Sequence, residues 1–326
     1  LTVSRQALLN LGLCVLAVAS FAFAIASGSA DISTGAIWHA LIHGGSDTAS
    51  RIVLDLRLPR AIVAFAVGAL LSLSGALLQV LLRNPLADPY VLGISGGAAV
   101  AALLSMIAGA GAALIAGDAF VGALLSMTLV FALSQRAGSL DPLRLLLTGV
   151  VLAAGWGALI SLILSLGPDT DIRGMLFWLM GDLSQARYPW AALGVLAVGT
   201  VGALWLARPL NLLIRGERVA ASLGEDPIRL RRRIYVLASL LTAVAVTLAG
   251  SIGFVGLIVP HMLRLAGSTD HRRLIPQSVL LGGSLLLLAD TLARTLVAPT
   301  QLPVGVVTAM LGVPLFLLLL TRTRLR

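Results

Sequence analysis

Residues 60–83 read RAIVAFAVGALLSLSGALLQVLLR, an apolar run with an arginine at each end and no charge between them. A bilayer-crossing helix needs roughly 20 apolar residues. This run supplies them, with glycine and serine spaced along it, the small residues that let membrane helices approach closely. Runs of the same kind lie on both sides. The expected crossings are 7–29, 60–83, 91–109, 111–135, 142–166, 190–207, 230–250, 255–267, 273–297 and 304–321. The chain has 326 residues, 58% hydrophobic and 11% charged, with a mean hydropathy of +1.00. A soluble domain carries about 25% charged residues, so this chain has too few polar groups to cover a water-facing surface. The expected fold class is all-α: a polytopic membrane protein with about ten transmembrane helices and short loops, in a single transmembrane domain over residues 1–326.

Crossing eight is too short to span alone. Its Gly- and Pro-bearing approach, 249–260, is expected to enter the membrane as irregular or re-entrant backbone, which is tolerable only when covered by protein. The short apolar stretch 172–181 reads as a helix along the surface between crossings five and six. The first run ends in Ser29-Ala30, which resembles a small-residue cleavage site, but its length and its single basic residue, Arg5, argue for a retained helix. The lone cysteine, Cys14, can form neither an internal disulfide nor a cysteine metal site, and is expected to be a packed, inert thiol.

The net charge is +9 and every basic residue is arginine. These arginines sit in short segments between apolar runs, which marks them as determinants of orientation rather than a nucleic-acid surface. With ten crossings, 17 of the 23 fall on one side; Arg51, Arg57, Arg60, Arg173, Arg187 and Arg294 fall on the other. Both termini are therefore expected in the cytoplasm.

Several chemistries are disfavoured. A phosphate-binding P-loop needs a lysine, and this chain has none, so ATP-driven work must come from a separate subunit. Ion-coupled transporters carry ionisable groups deep in the membrane, whereas the middles of these runs are almost free of them. Asp290 and Arg294 lie one helical turn apart and can pair locally. His261 and Arg264 sit near the inner end of crossing eight, where snorkelling accounts for the arginine. The four histidines show no metal-ligand spacing, and no catalytic constellation is visible.

The longest loop on the arginine-rich side is 208–229. Val219, Ala220 and Leu223 share one helical face, and Gly224 is placed to end that helix. Asp226-Pro227 is a good N-cap and first-turn pair for the next crossing. One or two short helices against the membrane surface are expected here.

Five segments, in order along nearly the whole chain, resemble the permease family of ABC importers for iron-siderophores, haem and vitamin B12. They are Arg57-Leu58-Pro59-Arg60; Arg83-Asn84-Pro85-Leu86-Ala87-Asp88-Pro89 followed by Leu92-Gly93-Ile94-Ser95-Gly96-Gly97; Gly253-Phe254-Val255-Gly256-Leu257-Ile258-Val259-Pro260-His261 with Arg264; Asp270-His271-Arg272 with Pro276; and Ala289-Asp290 with Ala293-Arg294, then Leu302-Pro303-Val304-Gly305 and Thr308. The resemblance implies a ten-helix permease working as a homodimer, two cytoplasmic ATPase subunits that hold the ATP and Mg, and a periplasmic or lipid-anchored binding protein. No cofactor is implied for this chain itself.

By the same resemblance, Arg57, Arg60 and Arg294 receive glutamates of the binding protein. Arginines on the outer face oppose the orientation rule, and exposed charge steers encounter with an acidic partner; the competing reading pairs each with Asp55, Asp290 or lipid phosphate. Loop 208–229, with Arg215, Gly216, Glu217, Ala220, Leu223 and Gly224, is implied as the coupling element seated in the ATPase. Asn84, Pro85 and Leu86, with Asp141 and Pro142, are implied to flank the inner exit, although Asp141-Pro142 replaces the small hydroxyl residues of the vitamin B12 permease. Gly93–Gly97 follows a turn and opens an apolar helix, so it reads as close helix packing, not a phosphate cradle. The expected activity is import of a metal chelate, vitamin B12 favoured over ferric siderophore or haem. A secondary transporter without ATPase partners is the alternative class.

Overall fold

The computed structural model describes residues 3–322 apart from 29, 137, 138, 185 and 187. Ser29 of the candidate cleavage site and three of the counted arginines, Arg187, Arg324 and Arg326, lie outside the described residues. In chain order the helices are α1 (Val3–Ala26), α2 (Thr34–His43), α3 (Thr48–Arg51), a π-helical turn (Ile52–Arg57), α4 (Leu58–Leu81), a 3-10 turn (Pro89–Leu92), α5 (Ile94–Ile107), α6 (Ala112–Ser134), α7 (Pro142–Leu166), α8 (Asp169–Leu179), α9 (Pro189–Ile214), α10 (Glu217–Ser222), α11 (Pro227–Ala249), α12 (Val255–Leu265), α13 (His271–Thr295) and α14 (Val304–Arg322). A two-residue antiparallel pair, Gln135–Arg136 with Ser139–Leu140, links α6 to α7.

Among the described residues, seven helical segments are long and apolar enough to cross a membrane, and three shorter apolar helices, Ile94–Ile107, Val255–Leu265 and Val304–Leu319, occupy the other expected crossings. The architecture is the all-helical, polytopic one that the apolar runs imply.

The quoted run forms the centre. In the span that contains α4, 94% of the most apolar window is buried, against 6% for α7. Helices α9, α11, α12 and α13 surround α4. Glycine makes this possible at two crossings: a Cβ on Gly75 would fall on the carbonyl of Gly256, and one on Gly68 on the carbonyl of Gly282. Backbones meet there because no side chain intervenes. Gly97 and Gly122 meet in the same way between α5 and α6, the packing role read for the Gly93–Gly97 run.

The short eighth crossing is α12. Its 11 residues rise about 16 Å at 1.5 Å each, half of the roughly 30 Å hydrocarbon layer. Non-helical backbone leads into it, with Gly250 at φ +67° and Phe254 at φ +71°. Protein groups satisfy this stretch: the Ile252 N–H donates to the Tyr90 hydroxyl at 2.9 Å, and the Asp182 N–H to the Ala249 carbonyl at 2.9 Å. Irregular backbone at this depth is thus covered, as it must be.

Several expectations need correction. Crossing six does not end at 207: α9 continues through Pro209 to Ile214. Proline removes one N–H from a helix, while Leu210 and Leu213 bury the continuing inner face. Crossing two does not start at 60, because α3 and the π turn carry the helix back to Thr48. Helix α2 was not anticipated; Ser33 caps it by accepting the Ala36 N–H. Cys14 is exposed on the outside of α1 rather than packed, since the face that α1 buries carries Gln6, Leu13, Ala17, Ser20 and Ala24. The separate helix expected over 172–181 is present as Asp169–Leu179.

Candidate functional site

The candidate arginines stand at the two ends of α4, Arg60 at its start and Arg83 just past its end. At one end stand Arg57, Arg60 and Arg294, from the π turn, α4 and α13. Arg57 donates Nη1 to the carbonyls of Ile25 at 2.8 Å and Ala26 at 3.0 Å, and Nη2 to that of Ala30 at 2.5 Å. These carbonyls lie at and just beyond the end of α1, where a helix has no acceptors' partners of its own and its dipole favours a cation. Arg60 grips the Asp290 carboxylate with Nε at 2.9 Å and Nη2 at 2.8 Å, and donates Nη1 to Gln301 Oε1 at 2.9 Å. Arg294 donates to the Ala24 carbonyl, and its Nε lies 3.9 Å from Asp290. The local Asp290–Arg294 pair read from the sequence is therefore the looser one, because Arg294 reaches across to α1. The structure brings the three arginines together and turns each toward partners within the chain. Asp290 answers Arg60 and Arg294 and Asp31 acts on Arg57, so three guanidiniums stand against two carboxylates and the cluster remains positive.

The other end carries the remaining candidates. Gly216, at φ +121°, and Gly224, at φ +86°, bracket α10, and both need backbone that glycine alone adopts freely. Asp226 caps α11 by accepting the N–H groups of Ile228 at 2.9 Å and Arg229 at 3.2 Å, as its sequence position implied. Arg215 follows the last turn of α9. The apolar face read for α10 divides: Ala220 is buried, while Val219 and Leu223 stay exposed. One oxygen of Glu217, Oε1, accepts from both Arg83 and Arg231.

Arg83 leads directly into the candidate exit. It sits at φ +50°, uncommon for a side-chain-bearing residue, and turns the chain out of α4. Asn84 Oδ1 then accepts the Leu86 N–H at 2.9 Å, folding Asn84-Pro85-Leu86 into a tight turn. Asp141 caps α7 through the Arg144 N–H at 2.9 Å, with Pro142 as first helical residue. Arg83 and Arg231 meet at Glu217, whereas the hydrogen bond of Asp141 stays within its own helix start.

Sequence reasoning missed two polar links. Arg264 does not snorkel; its guanidinium turns to Gln79 Oε1. Gln79 Nε2 in turn donates to the Leu257 carbonyl at 3.1 Å and the Ala87 carbonyl at 3.4 Å, so one amide ties α4, α12 and the 83–88 turn together. A glutamine inside the 60–83 run was the available signal, since buried amides must find partners. The second link joins α9 to α13: Asn211 Nδ2 donates to Asp270 Oδ1 at 2.6 Å, and Asn211 Oδ1 accepts the His271 N–H at 3.0 Å. Asp270 also accepts the Arg272 N–H, and that bond is the first cause holding its carboxyl below the ordinary 3.8.

A cavity of about 810 Å³ opens at the Arg60 end, lined by Arg173, Phe177, Trp178, Asp182, Tyr188 and Gln301 among others.

A helical bundle centred on an almost wholly buried apolar helix, with half-length α12 packed against it and charged clusters at either end of that central helix, defines a polytopic membrane protein. Residues 16–322 match the FecCD transport family, and the chain belongs to that family. It is 39% identical over 335 residues to an uncharacterized ABC transporter permease of Bacillus subtilis, covering 98% of this chain and 94% of the relative. It is 40% identical over 306 residues to a cobalamin import system permease of Halobacterium salinarum, covering 90% and 82%. With a hemin transport system permease of Yersinia pestis it shares 38% over 339 residues, covering 98% and 97%. Its fold is similar to that of a putative metal-chelate type ABC transporter solved in an inward-facing conformation, with a TM-score of 0.85 at 30% identity over 96% of this chain and 98% of the other.

Proposed function

We propose that this chain is the membrane-spanning permease of an ATP-driven ABC importer for metal chelates, with vitamin B12 as the favoured cargo and ferric siderophore or haem as alternatives of the same class. The observation that carries this reading is likeness over nearly the whole chain, in sequence to cobalamin and hemin permeases and in fold to a metal-chelate type transporter. The chain supplies a path and two ends; it performs no covalent chemistry and binds no cofactor.

Three partners follow. A second copy lies along α7, which keeps Leu143, Leu147, Val150 and Val151 outward. Two ATPase subunits, holding ATP and Mg, seat on the arginine-rich end, where α10 offers the exposed Val219 and Leu223 beside Arg215, Gly216 and Gly224. That end and both termini face the cytoplasm, as the excess of arginine favours. A periplasmic or lipid-anchored binding protein docks at the opposite end. There the Arg57, Arg60 and Arg294 cluster acts through its positive field, since a field steers an acidic partner even when each guanidinium has a local bond. The cavity beside Gln301 is where a delivered chelate first meets this chain.

The test is uptake into vesicles carrying this chain, its ATPase and its binding protein, with labelled cobalamin, ferric siderophore and haem compared. ATP-dependent accumulation of one of them is expected. Undiminished transport without nucleotide hydrolysis would instead identify a secondary transporter.

A further inference from the structure

Glu217 stands first in α10 and is the only acidic residue within that helix. An acidic residue in a helix's first turn is ordinarily explained by the dipole alone. Its carboxylate does something more here. It is turned back onto the bundle, where Oε1 accepts from Arg83 and from Arg231. Arg231 is largely buried, its side chain 7% exposed, and Glu217 is one of the groups that meet its charge there. Arg83 is the hinge between α4 and the Asn84-Pro85-Leu86 turn, held at φ +50°.

The connections continue inward without a gap. The Asn84 N–H donates to the Gln79 carbonyl at 3.2 Å, and the Ala87 N–H to the Asn84 carbonyl at 3.1 Å. Gln79 binds Ala87 and Leu257, and Arg264 of α12 binds Gln79. The other branch runs from Glu217 to Arg231 of α11. From Glu217, one path thus reaches the 83–88 turn and half-length α12, and another reaches α11. The 83–88 turn is the element that flanks the candidate exit. By contrast Val219 and Leu223 are exposed on α10.

We infer that Glu217 is a positioning residue that transmits motion of α10 to the exit, with its carboxylate linking Arg83 and Arg231, and that it is not a contact to the ATPase. This rests on the proposed function and adds a division of labour to it: the outward apolar pair holds the motor, and the inward carboxylate passes its movement on. A rigid link is what such transmission requires, because coupling between sites needs an element whose arrangement both sites bias. A charge-assisted fork onto two guanidiniums is stiffer and more directional than apolar contact.

The experiment uses the complete complex of permease, ATPase and binding protein in vesicles, with cargo uptake and ATP hydrolysis measured together. Wild type must first show ATP-driven uptake; failure there defeats the proposed function, and this inference with it, before any variant is made. Glu217→Gln keeps size and one hydrogen bond but removes the charge. It is expected to assemble with the ATPase as wild type does, to hydrolyse ATP, and to import at least about tenfold less cargo per ATP. Arg83→Ala is expected to uncouple similarly, and the double variant Arg83→Ala/Glu217→Gln to be no worse than the poorer single one, the non-additivity of residues that act through one contact. Glu217→Asp should recover part of the ratio. An unchanged ratio in Glu217→Gln, additive losses in the double variant, or loss of ATPase assembly with Glu217→Gln would each overturn the assignment, the last by making Glu217 part of the motor contact.

Discussion

Arg60 and Asp290, 230 residues apart in the chain, meet in a two-pronged ion pair at 2.8 and 2.9 Å. It fastens the start of α4 to the last turns of α13. Asp290 is 1% exposed, so its charge is out of water and the pair must be kept intact. Removing one partner of a buried pair costs about 3–5 kcal/mol, while removing both costs less. Asp290→Ala is expected to lower the thermal midpoint in detergent sharply, and Arg60→Met/Asp290→Leu to lower it less than the single change. A double variant as unstable as the sum of its parts would refute the pairing as the cause.

The same cluster separates stability from docking. Arg60→Lys keeps the charge and loses the fork, so it should lower the thermal midpoint yet bind the binding protein within about twofold of wild type, as steering by charge predicts. Reversing charge at Arg57, Arg60 and Arg294 together should weaken that binding by at least about tenfold, more at low salt than high, with ATPase assembly retained. Surface plasmon resonance at two ionic strengths reads both. Unchanged docking in the triple reversal removes these arginines from the docking site.

At the Gly75–Gly256 crossing a methyl group has no room. Overpacking a tight core costs about 1–3 kcal/mol, and here the obstacle is backbone. Gly75→Ala is expected to lower the thermal midpoint and the folded yield, whereas Gly12→Ala in α1, with nothing within 4 Å of the added carbon, should match or exceed wild type because alanine favours helix. Equal behaviour of the two variants would show that the crossing is looser than described.

Asp270 gives a pH dependence. Its carboxyl titrates below the ordinary 3.8, chiefly through the Arg272 N–H. A depressed carboxyl stabilises the fold above its unfolded value and loses that contribution as pH falls through the folded value. Asp270→Ala should cost about 0.5–2 kcal/mol near neutrality, as loss of a helix cap does. The gap from wild type should close as pH falls from about 4 downward. A constant gap across pH-dependent unfolding in detergent would assign the loss to something other than the ionised cap.

The placement of ten apolar runs, the separate helix after α7, and the punctuation at Gly224 and Asp226 were legible because each rests on local chemistry: length, periodicity and caps. The stretch before α4 was not. Arg51, Asp55 and Arg57 look like loop residues, and what carries the helix through them is non-local: Arg57 reaches the carbonyls at the end of α1, and Val53 is buried against Ile25, Ile37 and Ala40. Pro209 misled for a related reason, since burial of Leu210 and Leu213 outweighs one lost hydrogen bond. The candidate arginines were visible as charges on the sparsely charged side. That they converge on Asp290 and α1 depends on helix packing that no local pattern encodes. Glu217 could be named for α10, but its inward direction follows from where Arg83 and Arg231 stand.

The half-length of α12 also dictates an order of biogenesis. A segment that reaches only partway through the hydrocarbon layer cannot be handed to lipid as a stable unit, and its exposed peptide groups would be stranded there. It must find Gly75 and Gln79 already in place, laid down well over a hundred residues earlier. The closing third of the polypeptide therefore completes the molecule by docking onto a finished centre, so damage to α4 is expected to surface as failed insertion of segments made long after it.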